Sequence, residues 1–186
     1  MSTLTIVIVD LVRENLVHAQ NILIEGISKE RVLLVHGNAC SLQFDAQTFD
    51  GVWSVQTTQH MPDYNTVCSE IYRVLKSKGV YWDYGLNNAA VIRVIYKLFQ
   101  RNYHVIGKVA GAFFLRRINK EVLDCVEQVF NHSVNVRYSE LLFTPDLGYR
   151  LGASENSMLG HLDSYLSGKS IVGKLIARQC SFHVKK

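Results

Sequence analysis

The sequence predicts an α/β fold: a Rossmann-like, mostly parallel sheet with an antiparallel strand at its C-terminal end. Three observations predict it. Short β-branched runs alternate with amphipathic stretches in the order β-α-β-loop-β-α-β through Gly85. The early runs are apolar throughout, as suits strands covered on both faces. A last strand pattern, "LIARQCSFHV", follows the helical stretches.

Each element has its own reason. "LTIVIVD" (Leu4 to Asp10) is the first buried strand. "RENLVHAQNILIEGI" follows, with Leu16, Ala19, Leu23 and Ile27 on one helical face and Gly26 near its end. Val32 to Val35 gives a second strand, and "FDGVWSV" a third, ending near Val55. Pro62 and Asp63 mark a helix start, with Asp63 as N-cap. Its apolar stripe is Val67, Ile71, Val74 and Leu75, and Lys76 and Lys78 suit its negative end. Gly79 turns the chain into a fourth strand, "VYWDY". Beyond Gly85, Ile92, Ile95 and Phe99 predict one helix, and Val122, Leu123, Val126 and Val129 another. "VNVRYSELLF" reads as a strand, and Met158, Leu162 and Tyr165 mark a helix. There is no linker-like stretch, so residues 1–186 read as one domain.

Composition narrows the function. With 48% apolar and 19% charged residues, the chain is globular. A net charge of +4 without a recognised motif argues against nucleic-acid binding. Cys40, Cys68, Cys125 and Cys180 are scattered and form no Cys-x-x-Cys pair, so no metal site is expected. They read as free thiols in a reducing compartment. The first apolar run, Leu4 to Val9, lacks a preceding basic flank, and no run reaches the roughly 18 to 20 residues of a membrane span. We therefore expect a cytoplasmic protein. Charge is uneven, however. From Tyr84 to Lys120 there is no Asp or Glu, and residues 93–120 combine seven cations with Phe99, Tyr103, Phe113 and Phe114. Such a segment suits peripheral contact with an anionic membrane; a core helix with a solvated face is the alternative.

Four stretches then resemble the class I (seven-stranded) S-adenosylmethionine-dependent methyltransferases, in their small-molecule branch. "VIVD" puts an acid at the end of a strand. "HGNA" stands where the family has a Gly-Asp-Ala-like turn. "FDGVWSVQTTQHMPD" is similar to the family's fourth strand and its loop. "IYRVLKSKG" resembles the turn into its fifth strand. The resemblance covers about Leu4 to Gly85. It implies S-adenosylmethionine as cofactor, and methyl transfer to a small-molecule or lipid-like acceptor. It also implies a helical acceptor lid over residues 86–133.

A carboxylate at the end of a parallel strand can accept two hydrogen bonds from a ribose diol, which is the role expected of Asp10. The plainer alternative is that Asp10 starts the following helix. Asn38 stands in the place of an adenine-contacting acid, and is equally a turn residue after Gly37. By resemblance Ala39, Cys40, Ser41 and Leu42 belong to the same pocket. Gln56 and Thr57 would lie by the methyl group. His60 is a candidate base, although transfer from a sulfonium needs mainly alignment. Arg73 is expected in an ion pair or on a carbonyl. Asp83 or Tyr84 could reach the crevice, or simply end a buried strand.

The family's glycine-rich turn after its first strand has no counterpart. The twelve glycines include no Gly-x-Gly, and "GKVAG" (Gly107 to Gly111) comes too late. In the family order 3-2-1-4-5-7-6, strand one is central. Without it, strands two and four stand roughly 9 to 10 Å apart. Each unpaired buried backbone group then costs about 1 to 3 kcal/mol. We expect a chain truncated at its N-terminus. Two alternatives stay open: a sheet that closes up, pairing Val7 with the Val52 strand, or a partner chain that completes it. With that partner, the chain could be a catalytically inactive, methyltransferase-like binding protein.

Overall fold

A computed structural model describes residues 4–99, 105–108, 112–141, 156–168 and 171–186. The first layer is β1 (Ile6–Asp10), α1 (Arg13–Ile22), α2 (Ile24–Ser28) and β2 (Val32–His36). β1 and β2 pair in parallel, from Ile6↔Val32 to Asp10↔His36. The expected single helix breaks at Leu23, whose φ and ψ are −101° and 20°. α2 then abuts β2 so closely that a Cβ on Gly26 would lie 2.7 Å from Val32. The expected stripe does face inward: Leu16 is buried, and Ala19, Leu23 and Ile27 are half-buried.

Next come β3 (Phe49–Val55), a 3-10 turn (Thr58–His60), α3 (Tyr64–Val74) and β4 (Leu75–Leu86). Asp63 caps α3 as expected, accepting from Thr66 N at 3.1 Å and Thr66 Oγ1 at 2.6 Å. The two lysines do not serve the helix end. Lys76 pairs with Asp50 at 2.9 Å, and Lys78 takes the left-handed turn, φ 69°, that was expected of Gly79. Gly79 is needed for proximity instead, since a Cβ there would sit 2.9 Å from Lys76 O. The carbonyls at the end of α3 are met by Lys186, whose Nζ donates to Tyr72 O at 2.6 Å and Leu75 O at 2.8 Å.

The chain continues through α4 (Ala90–Leu98), the hairpin β5 (Val105–Lys108) and β6 (Ala112–Leu115), and α5 (Lys120–Phe130). Then follow β7 (Asn135–Ser139), α6 (Met158–Leu166), α7 (Ile171–Ile176) and β8 (Gln179–Lys185). The hairpin carries no periodic signal strong enough to predict, and α7 takes Leu175 and Ile176 from the expected last strand, which begins at Gln179. α6 forms where its stripe predicts, but Met158, Leu162 and Tyr165 are all exposed rather than packed.

The main sheet runs β3-β4-β8-β7. β3 and β4 are parallel, whereas β8 is antiparallel to both β4 and β7. Its core lies between one sheet face and helices α3 and α5. There Val67, Ile71, Tyr81, Val126, Phe130 and Phe182 are buried. Phe130 stacks on Tyr81 at 6.0 Å and meets Tyr72 edge-on at 5.2 Å. Fully burying side chains of this size contributes about 1.5–3 kcal/mol each. On the other face Trp53 is 77% exposed, and Trp82 stacks on His183 at 4.4 Å.

Taken along both sheets, the order β2-β1 and β3-β4-β8-β7 follows the resembled family, with no described strand in first position. Among the described residues β1 pairs with β2 alone, so Val7 is not paired with the Val52 strand and the closed-up sheet is excluded. Within residues 86–133, α5 belongs to the core. The rest of that span holds α4 and the β5–β6 hairpin.

Candidate active site

The predicted site residues fall into two groups at the carboxyl ends of strands. The first follows β1 and β2. Asp10 Oδ1 accepts from Val12 N at 2.7 Å, and Oδ2 from Asn15 Nδ2 at 3.1 Å. The carboxylate thus holds the start of α1, the plainer of its two roles. Each oxygen keeps a lone pair for a further donor. Gly37 N donates to Asp10 O at 3.1 Å, and a Cβ on Gly37 would come 3.2 Å from Val9, so the turn lies tight on β1. Asn38 Oδ1 accepts from Cys40 N at 2.9 Å, the turn role weighed for it. Ala39 and Cys40 pack against the core, and burial pushes the Cys40 thiol above its usual pKa. The rest of this turn is clamped to α3. Leu42 N donates to Glu70 Oε2 at 2.8 Å. Arg73 pairs with Glu70 at 2.8 Å and donates to Phe44 O at 2.7 Å and Leu42 O at 2.9 Å. Arg73 therefore does both things expected of it.

The second group follows β3. Gln56 sits at φ 51°, a sparsely populated conformation for a residue with a Cβ, and one that clusters at functional turns. Its N–H donates to Tyr84 O at 2.7 Å. Thr57 Oγ1 donates to Val55 O at 3.1 Å. Thr58 Oγ1 donates to Asp83 at 2.9 and 3.1 Å. Gln59 O accepts from Arg116 N at 2.7 Å, and the Gln59 side-chain oxygen faces Leu86 N at 3.4 Å. The Gln59 amide nitrogen therefore faces His60 Nε2, at 3.2 Å. An amide N–H can only donate, so it makes Nε2 the acceptor and leaves the imidazole proton on Nδ1. The ring nitrogen that a general base would use is thus filled by Gln59.

Asp83 is the residue whose role the sequence left open, and it is a buried anchor, 2% exposed. Burial raises its carboxyl from 3.8 to about 6, partly offset by the hydroxyls of Thr58, Ser54 and Tyr81. One cavity lies elsewhere, at the N-terminal ends of α3 and α5. It measures about 730 Å³ and is lined by Asp63, Tyr64, Arg116 and Cys125 among others. It contains none of the predicted site residues.

With this geometry in place, likeness to known proteins becomes informative. Residues 2–82 match the family model described as Methyltransferase domain. Demethylmenaquinone methyltransferase of Anoxybacillus flavithermus is 50% identical over 50 residues, 27% of this chain and 21% of that protein. Sterol 24-C-methyltransferase of Debaryomyces hansenii is 38% identical over 55 residues, 30% of this chain and 15% of that protein. The alignments with these curated relatives span about a fifth of their length or less.

Among solved structures, geranyl diphosphate C-methyltransferase from Streptomyces coelicolor superposes with a TM-score of 0.60 at 14% identity. The superposition covers 98% of this chain and 62% of that one. The [4+2]-cyclase SpnF does so at 0.60 and 15%, covering 98% and 66%. At such identities the likeness establishes the fold alone. The class so defined is a fold class, the α/β, Rossmann-like methyltransferase fold with a mixed sheet. Within that class, residues 2–82 carry the methyltransferase-domain match.

Proposed function

We propose that this chain takes part in S-adenosylmethionine-dependent methyl transfer to a small-molecule or lipid-like acceptor. One observation carries the reading: every candidate site residue, from Asp10 to His60, lies inside the segment that matches the methyltransferase domain. The relatives named above, which carry menaquinone and sterol in their names, support the acceptor class.

The residues fit the nucleoside part of the cofactor. Asp10 retains acceptor capacity for a ribose diol, and Asn38 with Ala39 and Cys40 forms a tight turn for the adenine. No Gly-x-Gly is present to admit the methionine end closely. When bound, the cofactor supplies a methyl group on a sulfonium sulfur. The protein's part is alignment. Gln56 and Thr57 set the edge of the crevice, and Gln59 holds His60 beside them. Calorimetry of the 186-residue chain with S-adenosylmethionine tests this. We expect micromolar binding, weakened at least about tenfold by Asp10→Ala, the loss of a charge-assisted hydrogen bond. Unchanged binding in that variant removes Asp10 from the site.

A second reading is favoured by the backbone. The edge of β1 away from β2 and the edge of β3 away from β4 have no strand partner among the described residues. A partner chain completing the sheet would make this an inactive, methyltransferase-like binding protein. A stable hetero-complex in a chain that ignores the cofactor supports that alternative. A cytoplasmic location, with peripheral membrane contact through residues 93–120, belongs to the first reading. Cell fractionation tests it.

A further inference from the structure

The structure leaves a large apolar surface uncovered. α4 carries Val91, Val94, Ile95 and Leu98 at the spacing of a single helical face. On a core helix that face is the buried one, but here all four are exposed. Beside it α7 exposes Ile171, Val172 and Leu175. α4 and α7 are in contact, and Asn87 ties their bases together. Its Nδ2 donates to Ala177 O at 2.9 Å and Lys174 O at 3.3 Å. Its backbone N–H donates to Arg178 O at 2.9 Å. The two helices thus pack side by side, and their seven large apolar side chains each leave 44 to 80% of their surface in solvent. Contiguous apolar surface on this scale marks an interaction site.

Charge says what covers it. Arg93 and Lys97 on α4 and Lys174 on α7 are exposed. No Asp or Glu occurs from Tyr84 to Lys120, nor from Ser164 to Lys186. Both segments that build the face are therefore free of acids. We propose that the α4–α7 face docks on an anionic lipid bilayer, with its apolar side chains at the acyl boundary and its cations at the phosphates. No helix among the described residues is long and apolar enough to cross a membrane, so the contact lies in the interface. This moves the membrane contact away from the arginines at the end of the basic stretch. Arg116 donates to Pro62 O at 3.0 Å and lies over the Tyr64 ring at 5.7 Å, and Arg117 is buried. The surface also gives the lipid-like acceptor of the reading above a route to the crevice, since α4 starts four residues after β4 ends. It rests on that reading only to this extent.

Co-sedimentation of the 186-residue chain with vesicles tests the proposal. We expect binding to phosphatidylcholine vesicles containing about one-third phosphatidylserine, and about tenfold weaker binding to phosphatidylcholine alone. Replacing Arg93, Lys97 and Lys174 together by Ser should weaken binding about a hundredfold, at roughly fivefold per cation, and remove its salt dependence. Leu98→Glu with Ile171→Glu should abolish it. All five positions are exposed, so an unchanged circular dichroism spectrum and thermal midpoint will confirm that the variants fold. The proposal is overturned if anionic vesicles are not bound, if both lipids are bound alike, or if either variant binds as the parent does. A dimer that the double Glu variant splits, in a chain that ignores vesicles, overturns it as well. The assay contains no cofactor. A chain that binds vesicles but not S-adenosylmethionine keeps this surface and loses the enzymatic reading.

Discussion

The two layers of the molecule are built to different standards. The β3-β4-β8-β7 sheet is closed on one face by α3 and α5, and its centre holds fully buried aromatic and aliphatic side chains. The β1-α1-α2-β2 layer has only Leu16 and Val32 among its buried apolar residues, and it exposes Val17, Ile22, Ile24 and Leu33. Yet Asp10, on which the ribose reading depends, belongs to the thin layer, and the Gln56–His60 turn belongs to the thick one. Local stability follows buried apolar contacts. The β1–β2 side of the candidate site therefore opens more readily than the Gln56–His60 side.

The comparison can be broken most forcefully from the core. Phe130→Ala removes the ring between Tyr72 and Tyr81 and is expected to cost about 3–5 kcal/mol in chemical denaturation. A loss below about 1 kcal/mol would mean that the thick layer is not the source of stability.

Asp83→Asn probes the same layer in the opposite direction. The folded carboxyl, near 6, lies above its ordinary value of 3.8 because burial disfavours its charge. As pH rises through this interval the unfolded chain releases its proton first. Stability is therefore full below about 3.8, falls up to about 6, and stays reduced above. Asparagine cannot ionise and keeps an oxygen for the Thr58 hydroxyl. The variant is thus expected to gain on the order of 2–3 kcal/mol at pH 7 and almost nothing at pH 4. Equal effects at the two values would rule out a buried, ionising Asp83.

A third change tests the thin layer. Leu16→Ala is expected to cost about 2 kcal/mol or less, and to speed amide exchange in β1 and β2 while leaving β4 and β8 protected. Uniform loss of protection would show that the two layers unfold as one. The smallest effect belongs to Trp53→Ser, within about 0.5 kcal/mol of the parent, because the indole is mostly in water.

What could be read from the sequence follows the same division. β1 to β3, the Asp63 cap and the stripes of α3 and α5 are local patterns that appear close to where their periodicity puts them, whereas the first helix breaks at Leu23 and β4 already starts at Leu75. The features that make the site are long-range. The Thr58–Asp83 bond joins residues 25 apart, and the Lys186 cap on α3 spans 111 and 114 positions. Neither leaves a trace in a short window. The left-handed Gln56 is a conformation that its residue type does not advertise. The α4 stripe misleads most plainly. Its spacing is that of a buried helix, but Ile95 and Phe99 of the expected stripe are exposed.

The tryptophans add a practical consequence. Trp53 stands in water on a strand whose outer edge has no strand partner among the described residues, and Trp82 lies across from it in register, flat against the His183 ring. Illuminated in the ultraviolet, the first indole should emit at long wavelength, as an indole in water does. Anything that seats along β3 would turn the first signal bluer and brighter, so the chain carries its own lamp at the place where its sheet is open.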